Sequence, residues 1–361
     1  MPLERRIKDY IRAHGHITLA DYMTRCLYDA QDGYYRSGDP LGAQGDFTTA
    51  PEVSQMFGEL AGIWLADGWR NSGEPDAALL LELGPGRGTL MGDILRAARK
   101  FHGLYECLTL HLVEINATLR AKQREVLAEH SLPVHWHETL PELPPLPLFV
   151  IANEFFDALP IHQFRHTDNG WEERVVTLDN EGNLAWGYCH SERSEESQIA
   201  GDPSLALRMT TIETSPDSLT LVRRIAAHIV RHGGAALIID YGYSEGSGDT
   251  FQSVARHRYH NPLETPGKAD LTAHVDFAAL AEVARQAGAC AHGSITQSAW
   301  LKDMGIALRA DLLCKKAPPA RQEKIRMEMH RLAAPEEMGT LFRCLAITPP
   351  DAPPPAGFPS C

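Results

Sequence analysis

The run Leu79-Leu80-Leu81-Glu82-Leu83-Gly84-Pro85-Gly86-Arg87-Gly88-Thr89 constrains this chain more than any other stretch. An apolar strand runs into an acid and then into alternate glycines, and a helix-forming segment follows. Such a unit brings the backbone of an α/β protein against a nucleotide-like ligand at a helix N-terminus. The glycines fall at Gly84, Gly86 and Gly88, so the pattern is GxGxG. A dinucleotide fingerprint needs a third small residue one place further on, where Thr89 stands. A carboxylate at Glu82 repels a pyrophosphate and attracts a cation. S-Adenosylmethionine carries a sulfonium and an ammonium and no phosphate, so the turn favours it as the cofactor. A glycine-rich turn without a ligand is the plainer alternative.

A second strand, Cys107 to Glu114, also ends in an acid. Glu114 lies a little over twenty residues past the glycines, where doubly wound folds place the carboxylate that accepts bonds from ribose hydroxyls. Dinucleotides and S-adenosylmethionine both contain ribose, so Glu114 marks a nucleoside without choosing between them.

The alternation around this turn sets the fold class. Strands are expected at 78–83, 108–114, 133–137 and 147–152, and helices at 89–100 and 117–130. This order predicts an α/β protein with a parallel sheet and right-handed crossovers. Residues 1 to about 75 read as a helical extension, with a Thr18-Leu19-Ala20-Asp21 cap and a helix starting near Pro51. That last helix carries Val53, Phe57, Leu60, Ile63 and Trp64 on an apolar face. Residues 161–232 read as an inserted region, with antiparallel strands at 161–166 and 171–178 and a helix at 218–231. The core spans 76–160 and 233–350, with a strand at 235–240, an excursion over 241–275, a helix capped by Asp276 and a strand at 341–348. The polar run from His190 to Ser197 reads as a solvated insertion.

A chain of 361 residues exceeds one minimal domain. Its net charge of −13 argues against a nucleic-acid binder, which needs a basic face. Seven scattered cysteines without a CxxC read as reduced thiols, and no apolar stretch is long enough to span a membrane. The N-terminus has no apolar signal segment. Together these predict a cytoplasmic protein.

The strongest chemical candidate is Asn153-Glu154-Phe155-Phe156-Asp157, at the carboxyl end of the fourth strand. Open α/β sheets bind ligands at that edge, which also holds the glycine turn. The alternative is that Glu154 and Asp157 open a helix, where acids are favoured. The run Asp46-Phe47-Thr48-Thr49-Ala50-Pro51-Glu52 is an ordinary helix cap or a substrate lid. His274 is a structural histidine or a base, and Tyr241 and Tyr243 are candidates to line a pocket. Nothing in the pattern suggests a metal.

The chain resembles the MidA family of S-adenosylmethionine-dependent methyltransferases. The matching stretches are 28–35, 45–54, 82–89, 153–160 and 270–277, and they span nearly the whole chain. Ala30 stands where proline is expected, and the insert near 190–197 is foreign to the pattern. The resemblance implies a seven-strand Rossmann-like class I methyltransferase sheet with an N-terminal helical extension and an inserted mixed α+β substrate region. It implies methylation of a protein arginine, on a respiratory complex I subunit in the mitochondrial relative, and it admits a homodimer. Arginine is protonated at working pH, so carboxylates are needed to localise its charge. Glu154 and Asp157, with Asn153, are the expected catalytic group. Asp46, Thr48, Pro51, Glu52 and His274 form the expected substrate or lid group. A small-molecule methyltransferase and a non-enzymatic assembly factor that binds the cofactor are the alternatives.

Overall fold

The computed structural model describes residues 1–36, 49–190, 211–245, 248–255 and 258–359. Asp46, Thr48 and the 191–197 insert therefore lie outside the described residues. Seven strands build the main sheet: β1 (Ala78–Leu83), β2 (Leu108–Val113), β3 (Val134–His137), β4 (Leu148–Asn153), β5 (Gly234–Tyr243), β6 (Cys290–Thr296) and β7 (Phe342–Thr348). Their order is β3-β2-β1-β4-β5-β7-β6. Neighbours from β3 to β5 run parallel, and β7 lies antiparallel between β5 and β6. An eighth, two-residue strand, Val275–Asp276, extends the pairing at the end of β5. The order reverses between β1 and β4, which opens the crevice where doubly wound sheets bind ligands.

Every residue of β1 and β4 is buried, as the continuous apolar runs require of strands covered on both faces. Ten helices are named from here on. They are α1 (Leu3–His14), α2 (Leu19–Tyr28), α3 (Gln55–Asn71), α4 (Thr89–Ala98), α5 (Ala117–Leu127), α6 (Pro216–His232), α7 (Phe277–Gln286), α8 (Gln297–Asp303), α9 (Ile306–Cys314) and α10 (Pro319–Ala333). Leu80, Phe149, Ile151 and Leu237 face Phe57, Leu60 and Trp64 of α3 and Ile94 of α4. Leu79, Leu81, Val150 and Ile238 face Val222 and Ile225 of α6 and Phe277 and Leu280 of α7.

A second, five-stranded antiparallel sheet holds His162–Thr167, Gly170–Leu178, Leu184–His190 and Thr211–Thr214. Its edge is completed by Ile17–Thr18 from the N-terminal segment, with Ile17 opposite Val176. Ile7, Ile11, Tyr22, Met23 and Leu27 of α1 and α2 bury against this join. Thr18 caps α2 by accepting the Asp21 N–H, as its sequence signature predicts.

Three expectations needed correction. The helix expected from Pro51 is two: Ala50–Val53, then α3, with the chain extended at Ser54 between them. Ile63 points to solvent at 40% exposure, and the buried face of α3 runs through Met56, Leu60 and Trp64 instead. The thiols of Cys26, Cys107, Cys314 and Cys344 are free, whereas Cys290 is disulfide-bonded. Among the described residues, no helix is long and apolar enough to cross a membrane.

The N-terminal segment is fastened to the sheet domain by close helix packing. A Cβ on Gly58 would stand 2.5 Å from the Cβ of Asp93, and one on Gly62 would stand 2.6 Å from the Cβ of Ala97. Two small residues four apart on α3 thus let it lie almost against the backbone of α4. Gly62→Ala should overpack this contact and destabilise the fold by about 1–3 kcal/mol. Thermal denaturation checks this, and an unchanged melting temperature would show that the helices have room for a methyl group.

Candidate active site

The carboxyl ends of β1, β2, β4 and β5 open onto one cavity of about 600 Å³. Gly84, Gly86 and Glu114 line one part of it, and Glu154, Asp157, Tyr241 and Asp270 line another. Tyr28, Tyr34, Tyr35 and Thr49 bring the N-terminal segment to its wall.

The glycine turn has the shape its spacing predicts. Gly84 sits at φ +63°, and the Phe155 ring lies 2.9 Å from where a Cβ would project. Only glycine meets both demands. Gly88 ends the turn in the left-handed region and precedes α4. The Gly86 carbonyl accepts the Gln123 amide at 2.7 Å. The same amide reaches Glu114 Oε2 at 3.3 Å, while Gln123 Oε1 accepts the Trp136 indole N–H at 2.9 Å. Gln123 of α5 therefore joins the turn to the acid at the end of β2. No local pattern marks this residue in the sequence.

Two acids of this region are held out of their ordinary range. Burial pushes the Glu114 carboxyl up to about 7, against bonds from the Asn116 N–H and Gln123. Burial pushes Glu82 up to about 8, and the Glu114 charge adds to it. Glu82 lies within β1, two residues before the turn, and does not itself line the cavity. Its buried Oε2 has no hydrogen-bond partner. An orphaned acidic oxygen, a turn with no room for a Cβ, and a lining acid at the end of β2 suit a nucleoside ligand with a cationic end.

The segment after β4 is a turn, not a helix start. Its anchor is Asp240 of β5. Asp240 Oδ2 accepts the backbone N–H groups of Phe155, Phe156 and Asp157 at 3.1, 2.9 and 3.3 Å. Its Oδ1 accepts the Tyr241 N–H. Glu154 is held at φ +50°, a left-handed conformation unusual for glutamate. Glu154 Oε1 accepts the Ala50 N–H at 3.0 Å and the Asn153 amide at 3.1 Å. Burial pushes its carboxyl up to about 7. Asp157 Oδ2 accepts the Tyr241 hydroxyl at 2.6 Å, and its buried Oδ1 has no partner. Burial raises Asp157 to about 6, opposed by the Tyr241 bond.

The other expected residues fall in different places. Asn153 lies behind Glu154 rather than on the cavity wall. Glu52 accepts the Thr89 hydroxyl at 2.6 Å and sits 3.9 Å from Arg87, so it braces the glycine turn from outside. Pro51 is buried at the start of the Ala50–Val53 helix. His274 lines a neighbouring cavity of about 580 Å³ with Tyr243 and Arg343. Its ring meets Tyr241 edge-on at 5.5 Å, and its backbone N–H donates to Thr250. Sequence reasoning missed Asp240, Asp270, Tyr28 and Tyr35 as parts of one site. The last three lie in stretches already noted as motifs, so only their convergence was hidden.

Comparison with known proteins agrees with this geometry. Residues 60–295 match the model of a family described as "Putative S-adenosyl-L-methionine-dependent methyltransferase". A protein from Danio rerio, named protein arginine methyltransferase NDUFAF7, mitochondrial, is 37% identical, over 95% of this chain and 86% of its own length. The protein of the same name from Homo sapiens is 36% identical, over 96% of this chain and 83% of its own. A COG1565 superfamily member from Burkholderia thailandensis, solved bound to S-adenosyl-homocysteine, superposes with a TM-score of 0.82. It is 28% identical and covers 99% of this chain and 93% of its own. The relatives' mitochondrial names overturn the cytoplasmic expectation. Scattered thiols read alike for a cytosolic and a mitochondrial protein, so composition could not separate the two. The glycine turn, the acid-lined crevice and these matches have one common meaning: the chain belongs to this family of S-adenosyl-L-methionine-dependent methyltransferases.

Proposed function

We propose that this protein methylates a guanidinium nitrogen of an arginine on a protein substrate. The observation that carries the reading is the pair Glu154 and Asp157. Both line the cavity that the glycine turn opens into, Glu154 half-buried and Asp157 buried, and the buried Asp157 Oδ1 has no hydrogen-bond partner. The names of the curated relatives support the same substrate class. A subunit of respiratory complex I is the finer target, which follows from the family resemblance alone.

When bound, S-adenosyl-L-methionine supplies an electrophilic methyl group. Gly84 and Gly86 would let the backbone approach that ligand and Glu114 would accept from its ribose hydroxyls, while Glu82 lies off the cavity wall behind them. The acceptor needs a different service. A guanidinium is planar and charged, and its nitrogen lone pairs are delocalised. Carboxylates bound to two of its nitrogens draw the positive charge toward them and leave the third more nucleophilic. Glu154 and Asp157 hold the guanidinium in this way, and the Asp157 carboxylate takes the proton the methylated nitrogen releases. Because the acids are fixed before the substrate arrives, little reorganisation is needed during the reaction.

Glu154→Gln should leave S-adenosyl-L-methionine affinity unchanged and lower kcat/KM for methyl transfer by about 10- to 100-fold, the loss of one charge-assisted bond. Calorimetry and transfer of a labelled methyl group measure the two separately. Undiminished transfer would remove Glu154 from the mechanism.

The raised carboxyls predict a pH profile. Asp157 ionises near 6 and Glu154 near 7, above the ordinary carboxylate range. Acidification below these values neutralises the groups that hold the cation. The kcat/KM for the protein acceptor should therefore climb as pH rises through about 6 to 7. A rate that stays flat down to pH 5 contradicts the assignment.

A further inference from the structure

We infer that Asp270 is a further acceptor-binding carboxylate and that, with the rings of Tyr28 and Tyr35, it selects a guanidinium over an ammonium. This rests on the arginine reading above and adds the residues that make the choice. Asp270 opens the short strand Asp270–Thr272 and is 4% exposed, yet it lines the cavity. The Ala273 N–H donates to the Asp157 carbonyl at 2.9 Å, so this strand is fixed beside the turn that carries Asp157. Two acids far apart in the chain are thereby registered against each other.

Each acid accepts a tyrosine hydroxyl, and Asp270 Oδ1 also accepts the Leu271 N–H at 2.9 Å. Tyr241 donates its hydroxyl to Asp157 Oδ2, and Tyr35 donates its own to Asp270 Oδ1 at 2.8 Å. The Tyr28 hydroxyl is held by the Ala158 carbonyl at 2.8 Å, on the same turn. The Tyr28 and Tyr35 rings stack with centroids 6.0 Å apart, and Tyr34 meets Tyr35 edge-on at 5.2 Å. Burial raises both the Tyr28 and Tyr35 phenols, and the Asp270 and Asp157 charges follow as the next causes for each. Both acids therefore act on the same pair of rings.

This wall asks for a cation of particular shape. Asp157 is 7% exposed, and its Oδ1 has no hydrogen-bond partner. The arginines on the cavity wall are engaged elsewhere: Arg36 reaches Glu138 at 3.2 Å, and Arg224 reaches the Leu140 carbonyl at 3.2 Å. A guanidinium presents five N–H groups in one plane, so it can bond carboxylates on different edges while its face lies on an aromatic ring. An ammonium is a compact point charge with no flat face. Carboxylates on separate segments with tyrosine rings beside them reward the first geometry. Tyr28 and Tyr35 belong to the N-terminal segment, so that segment supplies acceptor selectivity.

The test uses the full chain and two degenerate peptide pools, one with a central arginine and one with a central lysine, with labelled S-adenosyl-L-methionine. Stabilisation by S-adenosyl-homocysteine in thermal denaturation reports folding and cofactor binding for every variant. The wild type should label the arginine pool and not the lysine pool. Asp270→Asn should keep the S-adenosyl-homocysteine shift, raise KM for the arginine pool by about tenfold or more, and erode the arginine-to-lysine preference. Tyr35→Phe, which removes only the hydroxyl, should raise KM by about three- to tenfold with little change in kcat. Asp270→Asn with wild-type KM and wild-type preference overturns the inference while leaving the arginine reading intact. A wild type that labels lysine, or neither pool, overturns the arginine reading and this inference with it. If Asp270→Asn fails to fold, Tyr35→Phe decides: an unchanged KM overturns the role.

Discussion

One buried carboxylate, Asp240, holds the site in shape. The turn after β4 has no helix or strand to satisfy its backbone, and Asp240 takes three of its N–H groups on a single oxygen. Asp240 is itself fixed because β5 is paired on both sides, to β4 and β7. The rigidity of the sheet thus passes through one side chain into the turn. That anchoring lets Glu154 remain in a left-handed conformation, which costs of order 1–3 kcal/mol at a non-glycine residue. The cost is also electrostatic. Burial raises the Asp240 carboxyl well above its ordinary range, and the Asp157 and Glu154 charges add to it. Like charges kept together out of water destabilise a fold unless a cation joins them. The arrangement makes sense as a receptor whose ligand completes it.

Local pattern carried the central sheet. The strands β1 to β5 and the glycine turn were legible because buried parallel strands are unbroken apolar runs and the turn needs glycine where φ is positive. Glu114, Glu154 and Asp157 were legible as acids at strand ends, since strand ends share one edge of the sheet. The part between α7 and β7 was less readable: β6 and the helices α8 to α10 were not expected. Helix α9 buries Ile306 and Ala310 yet exposes Leu308 and Leu312, which blurs its helical period. Long-range pairing left no local mark either. Nothing near Ile17 announces Val176 as its partner, and nothing near Thr89 announces Glu52. Thr89 was informative only as a mismatch to another fingerprint, while in the structure its hydroxyl ties the turn to the N-terminal segment.

The matching stretches of the family are scattered because each supplies one wall of one cavity. Tyr28 to Tyr35 provide rings, Gly84 to Thr89 the turn, Asn153 to Asp157 the anchored acids, and Asp270 to Ala273 the strand beside them. Each segment contacts at least one other directly. Tyr28 bonds to Ala158, Tyr35 to Asp270, and Ala273 to Asp157. The N-terminal segment therefore walls this cavity, and at Gly58 and Gly62 it packs closely against the helix that leaves the glycine turn.

The short stretch from Ala50 to Glu52 touches both halves of that chamber. The Ala50 N–H bonds to Glu154, and two residues later Glu52 bonds to Thr89 at the start of α4. The stretch joins Glu154, the residue proposed to hold the methyl acceptor, to the helix that opens at the glycine turn. Such a bridge makes the two affinities interdependent: any shift of the stretch on loading one ligand alters the free energy of loading the other, by an equal amount in either order. On that reading, donor and acceptor would communicate through a lever three residues long.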